Sequence, residues 1–247
     1  MKSAYETSSA LAEYLAFHYL EPGNLLPGGY PPPFGIKNFP ATCAGLLLSE
    51  MRRGKPKSRR ALDLGCAVGR SSFELAKKVP EVVAIDFSRV FIRAARDLAK
   101  KGSLRFPLKL EGDHRQIATA RAPSGKFRKR VCFRTGDALH LPDLGKFDLV
   151  LAANLLDRVR DPKRLLEKVL PQLVRPGGLL LLTSPYTWSE EFTPRSRWLK
   201  NSFSRIQKLL HRRFRMVRRK NLPFLLREHR RKFQLTFADA TLWLRRG

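Results

Sequence analysis

Ala61-Leu62-Asp63-Leu64-Gly65-Cys66-Ala67-Val68-Gly69-Arg70 decides the fold. An apolar run ends in an acid, Gly65 and Gly69 follow, and Ser71-Ser72-Phe73-Glu74-Leu75-Ala76 then reads as a helix. This is a strand, a tight turn and a helix start, the geometry that holds a nucleotide-like ligand at the carboxyl edge of a parallel sheet. A side chain at Gly65 or Gly69 is expected to hold the backbone away from that ligand. The spacing is not the Gly-x-Gly-x-x-Gly of dinucleotide binders, and a carboxylate at Asp63 would repel a pyrophosphate. S-adenosylmethionine carries an ammonium and a sulfonium and no phosphate, so the same carboxylate attracts it. Asp63, Gly65, Cys66, Ala67 and Gly69 are therefore candidate cofactor contacts.

Outward from this turn the chain keeps an α/β rhythm. Val82 to Ile85 reads as a second strand ending at Asp86, about twenty residues past the turn, where a carboxylate takes both hydroxyls of a ribose. Phe87 follows and suits the face of an adenine ring. Ser88 caps a helix with Val90, Phe91, Ala94, Ala95 and Leu98 as its apolar stripe. A third strand, Val131 to Arg134, closes on Gly136-Asp137-Ala138. A fourth, Phe147 to Ala152, ends near Asn154. Asp161-Pro162 opens a helix, and Pro176-Gly177-Gly178 turns the chain into the apolar strand Leu179 to Leu182. Thr193 to His211 reads as a basic helix. Phe214 to Arg218 and Gln234 to Leu244 read as late antiparallel strands.

The pieces outside this rhythm are the two ends of the first half. Ser3 to Leu20 reads as an aromatic-rich amphipathic helix, and Pro22 to Pro40 as a Pro/Gly-rich loop. Residues 1–40 are thus a helix and a lid or cap, and 41–247 form one domain with a basic insertion at about 100–130. Ala41 to Met51 is a helix, joined to the first strand by the basic link Arg52 to Arg60.

Composition adds constraints on partners. The 247 residues carry 49 Lys and Arg against 21 Asp and Glu, a formal charge of +28. That balance attracts anionic substrates, acidic surfaces or nucleic acid and says nothing of fold. Cys43, Cys66 and Cys132 have no pairing or metal spacing, and the five His have no ligand spacing, so no metal is expected. There is no apolar run of signal or membrane-spanning length, which leads to the expectation of a soluble cytoplasmic protein without membrane contact.

Asp63-x-Gly65-x-x-x-Gly69, Asp86, Gly136-Asp137-Ala138 and the Pro176 turn, in that order, resemble class I S-adenosylmethionine-dependent methyltransferases. The resemblance covers roughly Ala41 to Leu244. It implies a doubly wound, mostly parallel seven-stranded sheet, Rossmann-like, with an N-terminal helical extension. It also implies that Asp86 holds the ribose and Asp137 meets the adenine amino group, with Ala138 and Asn154 beside them.

A narrower resemblance spans nearly the whole chain. Tyr14-Leu15-Ala16-Phe17-His18-Tyr19, Asp63 to Leu75, Asp86-Phe87-Ser88-Arg89, Ala153 to Arg158, Thr183 to Trp188 and Pro223 to His229 together are similar to the mercaptohistidine N-methyltransferase domain of ovothiol synthase. It implies methyl transfer to an imidazole nitrogen of 5-thiohistidine. The methyl carries its own activation, so the protein mainly aligns donor and acceptor. Asn154 is the candidate to orient the ring, with Tyr186 and Trp188 as walls. Arg227 suits the substrate carboxylate and Glu228 its ammonium. Two other readings stand: a nucleic-acid methyltransferase using the basic surface, and a binding module that has kept the fold without the activity. On the thiohistidine reading the charge is mostly a solvated face, or a weak nonspecific nucleic-acid contact.

Overall fold

In the computed structural model, residues 4–54 and 59–247 are described. Part of the link expected at Arg52 to Arg60 lies outside them, as does Ser3. Six main helices are α1 Ser8–Tyr19, α2 Phe39–Gly54, α3 Arg70–Ala76, α4 Arg89–Lys101, α5 from Pro162 to Leu173, and α6 Ser202–Leu210. Nine strands are β1 Arg60–Leu64, β2 Glu81–Asp86, β3 Ser103–Glu111, β4 His114–Arg121, β5 Val131–Thr135, β6 Phe147–Ala153, β7 Val174–Ser184, β8 Phe214–His229 and β9 Lys232–Arg245.

Seven strands make one sheet in the order β5-β2-β1-β6-β7-β9-β8, and β3 pairs with β4 as a separate hairpin. The first five run parallel, while β9 pairs antiparallel to β7 and β8. This is the doubly wound sheet expected. β1 is central, with Ala61, Leu62 and Leu64 fully buried, as a strand covered on both faces must be. One face packs on α5 and α6 through Leu165, Leu170, Ile206 and Trp243. The other packs on α2 and α3 through Phe39, Leu47, Leu75 and Leu242. A third apolar cluster joins α1, the turn at Cys66–Val68, α4 and the β3–β4 hairpin. No helix among the described residues is long and apolar enough to cross a membrane.

Local chemistry sets the boundaries. Thr7 and Ser88 cap α1 and α4 by accepting from the N–H groups of Ala10 and Phe91, and Gly102 ends α4 in the left-handed region at φ 84°. Asp161 caps α5 by accepting from Arg164 N–H. The basic insertion is a long hairpin. The stretch from Thr193 to His211 is not one helix: it holds a single turn at Arg195–Arg197, and α6 starts only after Asn201 in the left-handed region at φ 51°. Pro194 cannot lie inside a helix. The stretch expected as a loop from Pro22 to Pro40 is a chain of short helical turns to Gly35, and α2 already begins at Phe39.

The late strands are much longer than the sequence implies. β7 ends at Ser184 opposite Asp239, yet β8 and β9 continue pairing to His229 and Lys232. The extra length forms an arm rising beyond the carboxyl edge of the sheet. Arg230 N–H donates to Leu110 O at 3.0 Å, tying the arm to the insertion hairpin. Helix α1 packs against both, with Phe17 on Phe224 at 5.7 Å between ring centres.

Candidate active site

The turn after β1 is built from backbone. Gly65 and Cys66 N–H donate to Ile85 O at 2.8 and 3.0 Å. Ala67 N–H donates to Asp86 Oδ2 and Ser88 N–H to Asp86 Oδ1, both at 2.9 Å. Asp86 therefore joins the turn after β1 to the turn after β2, an acceptor role the sequence does not announce. Asp63 Oδ2 accepts from the hydroxyls of Ser71 and Ser72 at 2.7 and 2.6 Å.

Both acids are buried, Asp63 at 1% and Asp86 at 8% exposure, and among the described residues neither forms an ion pair with a Lys or Arg. Burial pushes each up to about 6, against the hydrogen bonds they accept. Two buried carboxylates with no cationic partner fit a ligand that brings its own positive charge. That is the test the donor set poses for S-adenosylmethionine, and these residues meet it.

The two glycines differ. Gly65 has φ 79°, and a Cβ there would stand 3.1 Å from Leu155 Cδ1. Gly69 has φ 86°, and its Cβ would sit 2.6 Å from the Phe133 ring. Gly69 is thus also required by helix–sheet packing. Ala67 occupies the left-handed region at φ 46° without being glycine. The side chains of Cys66 and Ala67 pack into the third core cluster, and that of Ala138 into the first, so only their backbone is left to face a ligand.

The other named residues fall as follows. Phe87 is 41% exposed at the end of β2, as an aromatic platform requires. Asp137 accepts from Leu139 N–H at 2.9 Å and contacts His140 Nδ1 at 2.7 Å. Next to it a cleft of about 1210 Å³ opens between loop 139–145 and α5, lined by His140, Asp143, Lys163 and Arg164. None of the candidate site residues named from sequence lines it. Asn154 sits at φ 50°, its N–H donating to Thr183 O at 2.9 Å and its Oδ1 accepting from Thr183 Oγ1 at 2.8 Å. That bond fixes the amide plane.

Tyr186, at φ 55°, donates its hydroxyl to Asp239 Oδ2 at 2.7 Å, and Asp239 in turn accepts from Arg219. The Trp188 indole donates to Ser202 Oγ at 3.3 Å. Both rings lean on the core beside β7. Arg227 and Glu228 are not brought together. Arg227 is 6% exposed, and its Nε and Nη1 have no hydrogen-bond partner. Burial, then Arg230, push its pKa down. Glu228 pairs with Lys232 at 2.8 Å and accepts from Gln234. The β8–β9 ladder is irregular between Arg227 and His229, so Glu228 stands at the break, held by Lys232 and Gln234, while Arg227 is buried.

The sequence gives no signal for a network that ties the N-terminal segment to the end of β2 and to the segment after β6. Arg158 Nε donates to the Tyr5 hydroxyl at 3.0 Å, across 153 residues of chain. Arg158 also donates to the buried Asp157 Oδ2, whose Oδ1 accepts from Ser184. Tyr5 stacks on Phe192 at 5.3 Å and stands edge-on to Phe87 at 5.9 Å. Its carbonyl accepts from Ser88 Oγ, and Glu6 accepts from Arg89 N–H. His18 lies near by and stays neutral, pushed down to about 3 by burial and then by Arg70.

The sheet order, the turn and the paired acids define a class I methyltransferase fold. Residues 62–180 match the family model described as a methyltransferase domain. Among curated proteins, the chain is 33% identical over 103 residues to magnesium-protoporphyrin O-methyltransferase of Rhodobacter capsulatus, covering 42% of this chain and 35% of that protein. It is 26% identical over 130 residues to norajmaline N-methyltransferase of Rauvolfia serpentina, covering 52% and 36%. The match thus spans about a third of the length of these relatives. Among solved structures, the N-methyltransferase NodS of Bradyrhizobium japonicum with S-adenosyl-L-homocysteine superposes with a TM-score of 0.54 at 15% identity, covering 97% of this chain and 99% of that one.

Proposed function

We propose that this chain is an N-methyltransferase that uses S-adenosylmethionine to methylate an imidazole nitrogen of a small, thiol-bearing histidine such as 5-thiohistidine. The observation that carries the reading is Arg227, a buried guanidinium with two partnerless nitrogens. A buried unpaired charge is costly, and a carboxylate supplied by an amino-acid substrate would satisfy it bidentately. The likeness to N-methyltransferases supports the reaction type.

The bound cofactor supplies an activated methyl group. The chain's residues bind and align. Asp86 takes the ribose, Phe87 the adenine face, and Asp63 the positive end of the molecule. Asn154 Oδ1 is held by Thr183, which leaves the amide N–H groups to donate to the substrate thiolate. The ring nitrogen then keeps its lone pair, and no strong base is needed because a reference imidazole has a pKa of about 6.5. Tyr186 and Trp188 form a wall beside the ring, and the segment from Tyr5 to α1 acts as a lid that excludes water. Glu228 has no part in this arrangement. The three unpaired thiols suit a reducing compartment such as the cytoplasm.

Incubating the protein with labelled cofactor and thiohistidine, histidine or bulk RNA tests this. Label in the amino acid, with a KM at least tenfold higher in Arg227→Met, is expected. Label only in RNA would favour a nucleic-acid acceptor, and label in neither would refute the assignment.

A further inference from the structure

From Glu191 to Glu228 the chain contains no acidic residue, yet it is rich in Lys and Arg. The fold gathers part of this stretch into one place. Lys208, on α6, is exposed, as are Arg212 and Arg213 in the turn after it, Arg215 on β8, and Arg246 after β9. None of these five forms an ion pair among the described residues. Arg246 N–H instead donates to Arg213 O at 2.8 Å, and Arg245 Nη1 to the same oxygen at 2.9 Å. These bonds draw the cations of the two strand ends together instead of neutralising them. Elsewhere the fold does neutralise: Arg60 pairs with Glu81, and Arg175 with Asp148.

The position of the cluster matters as much as its charge. Phe214 pairs with Arg245 and Leu179 with Leu244, while Ser184 pairs with Asp239. The cluster therefore lies at the amino edge of the sheet, and Asp63 and Asp86 lie toward the opposite edge. Five to six residues of strand separate the two levels, about 17–20 Å at 3.3 Å per residue. A polyanion held there cannot place a base over the cofactor turn by the same contacts. The face is also free of large apolar groups. The exposed ones, Tyr30, Phe34, Phe87, Ile117, Leu235 and Phe237, all belong to other segments. Charge without apolar anchors fits a phosphate backbone better than a bilayer, where insertion of apolar side chains adds to binding.

We propose that the surface formed by the end of α6, the start of β8 and the end of β9 docks the phosphodiester backbone of a nucleic acid, as a tether separate from the methyl-transfer site. The contact is independent of base sequence, because arginines on phosphates position without reading.

Fluorescence anisotropy of a labelled mixed-sequence RNA over a salt series tests this. The triple variant Arg212→Gln/Arg213→Gln/Arg215→Gln should bind at least tenfold more weakly and flatten the salt slope by about two, at roughly 0.7 per phosphate for a single strand. A control of equal charge change elsewhere, Lys126→Gln/Lys129→Gln/Lys168→Gln, should shift affinity less than threefold. Equal losses in the two variants would mean diffuse charge and overturn the proposal. So would phosphatidylserine vesicles that lose binding in the triple variant while RNA does not. Amide exchange of the wild-type protein with RNA gives a reading that needs no variant: protection at 208–215 and 244–246 is expected, and protection confined to other segments would refute the site. Methyl transfer to the small substrate should be unchanged in the triple variant.

Discussion

Asp86→Asn separates the two roles of the carboxylate that joins the turns after β1 and β2. In the native site each oxygen accepts one backbone N–H, from Ala67 and from Ser88. The amide keeps one acceptor and turns an NH₂ toward the other N–H, a mismatch costing about 1–3 kcal/mol. Against this stands the relief of a buried charge. Burial raises Asp86 from 3.8 to about 6, and two units correspond to about 3 kcal/mol of penalty on the ionised form. A raised acid favours the fold below the unfolded pKa, and that contribution is lost as pH rises through about 6. At neutral pH the two effects nearly cancel, so the melting temperature should move by only a few degrees. Cofactor affinity should not be spared. Losing a charge-assisted hydrogen bond to the ribose, and the local negative charge, removes about 2–4 kcal/mol, or about thirtyfold to several hundredfold in Kd. Titration calorimetry across pH adds a second reading. The cationic cofactor favours ionised Asp63 and Asp86, so wild-type affinity should fall below pH 6, with a slope approaching two. The variant retains Asp63 alone, and its slope should approach one. An affinity within threefold of wild type, or an unchanged pH slope, would refute the placement of the ribose at Asp86.

Gly69→Ala should destabilise by about 2–5 kcal/mol, from left-handed strain and overpacking on Phe133, and thermal melting will register it. Ala67→Gly removes strain at φ 46°, so it should hold or raise stability by up to about 1 kcal/mol in urea unfolding. Arg227→Met should stabilise the fold, since a partnerless buried charge is replaced by an apolar chain of similar length, while the KM for thiohistidine rises at least tenfold. Tyr5→Ala removes the contacts to Phe192, Phe87 and Arg158; cofactor dissociation followed by stopped flow should quicken severalfold with the fold intact.

The strand, turn and helix around Asp63, the second acid at Asp86 and the sequence of elements were all written in local pattern. Helix caps are local physics, so the cap at Ser88 is visible without a fold, whereas Pro176-Gly177-Gly178, expected as a turn before the strand, forms a break in register inside β7. The N-terminal helix and the basic insertion were visible as elements, but not as partners. Only tertiary structure decided what each residue touches. Gly69 is held to glycine by Phe133, which lies two strands away in the sheet. Arg227 and Glu228, adjacent in sequence, are parted where the β8–β9 register shifts: Arg227 is buried, and Glu228 is held by Lys232 and Gln234. Tyr5 meets Arg158 across most of the chain. The length of β8 and β9 came from pairing with each other well beyond the strands expected at Phe214 to Arg218 and Gln234 to Leu244. The positive charge was plain from composition, but its concentration at the amino edge, away from the acids of the cofactor turn, follows from where the antiparallel strands end.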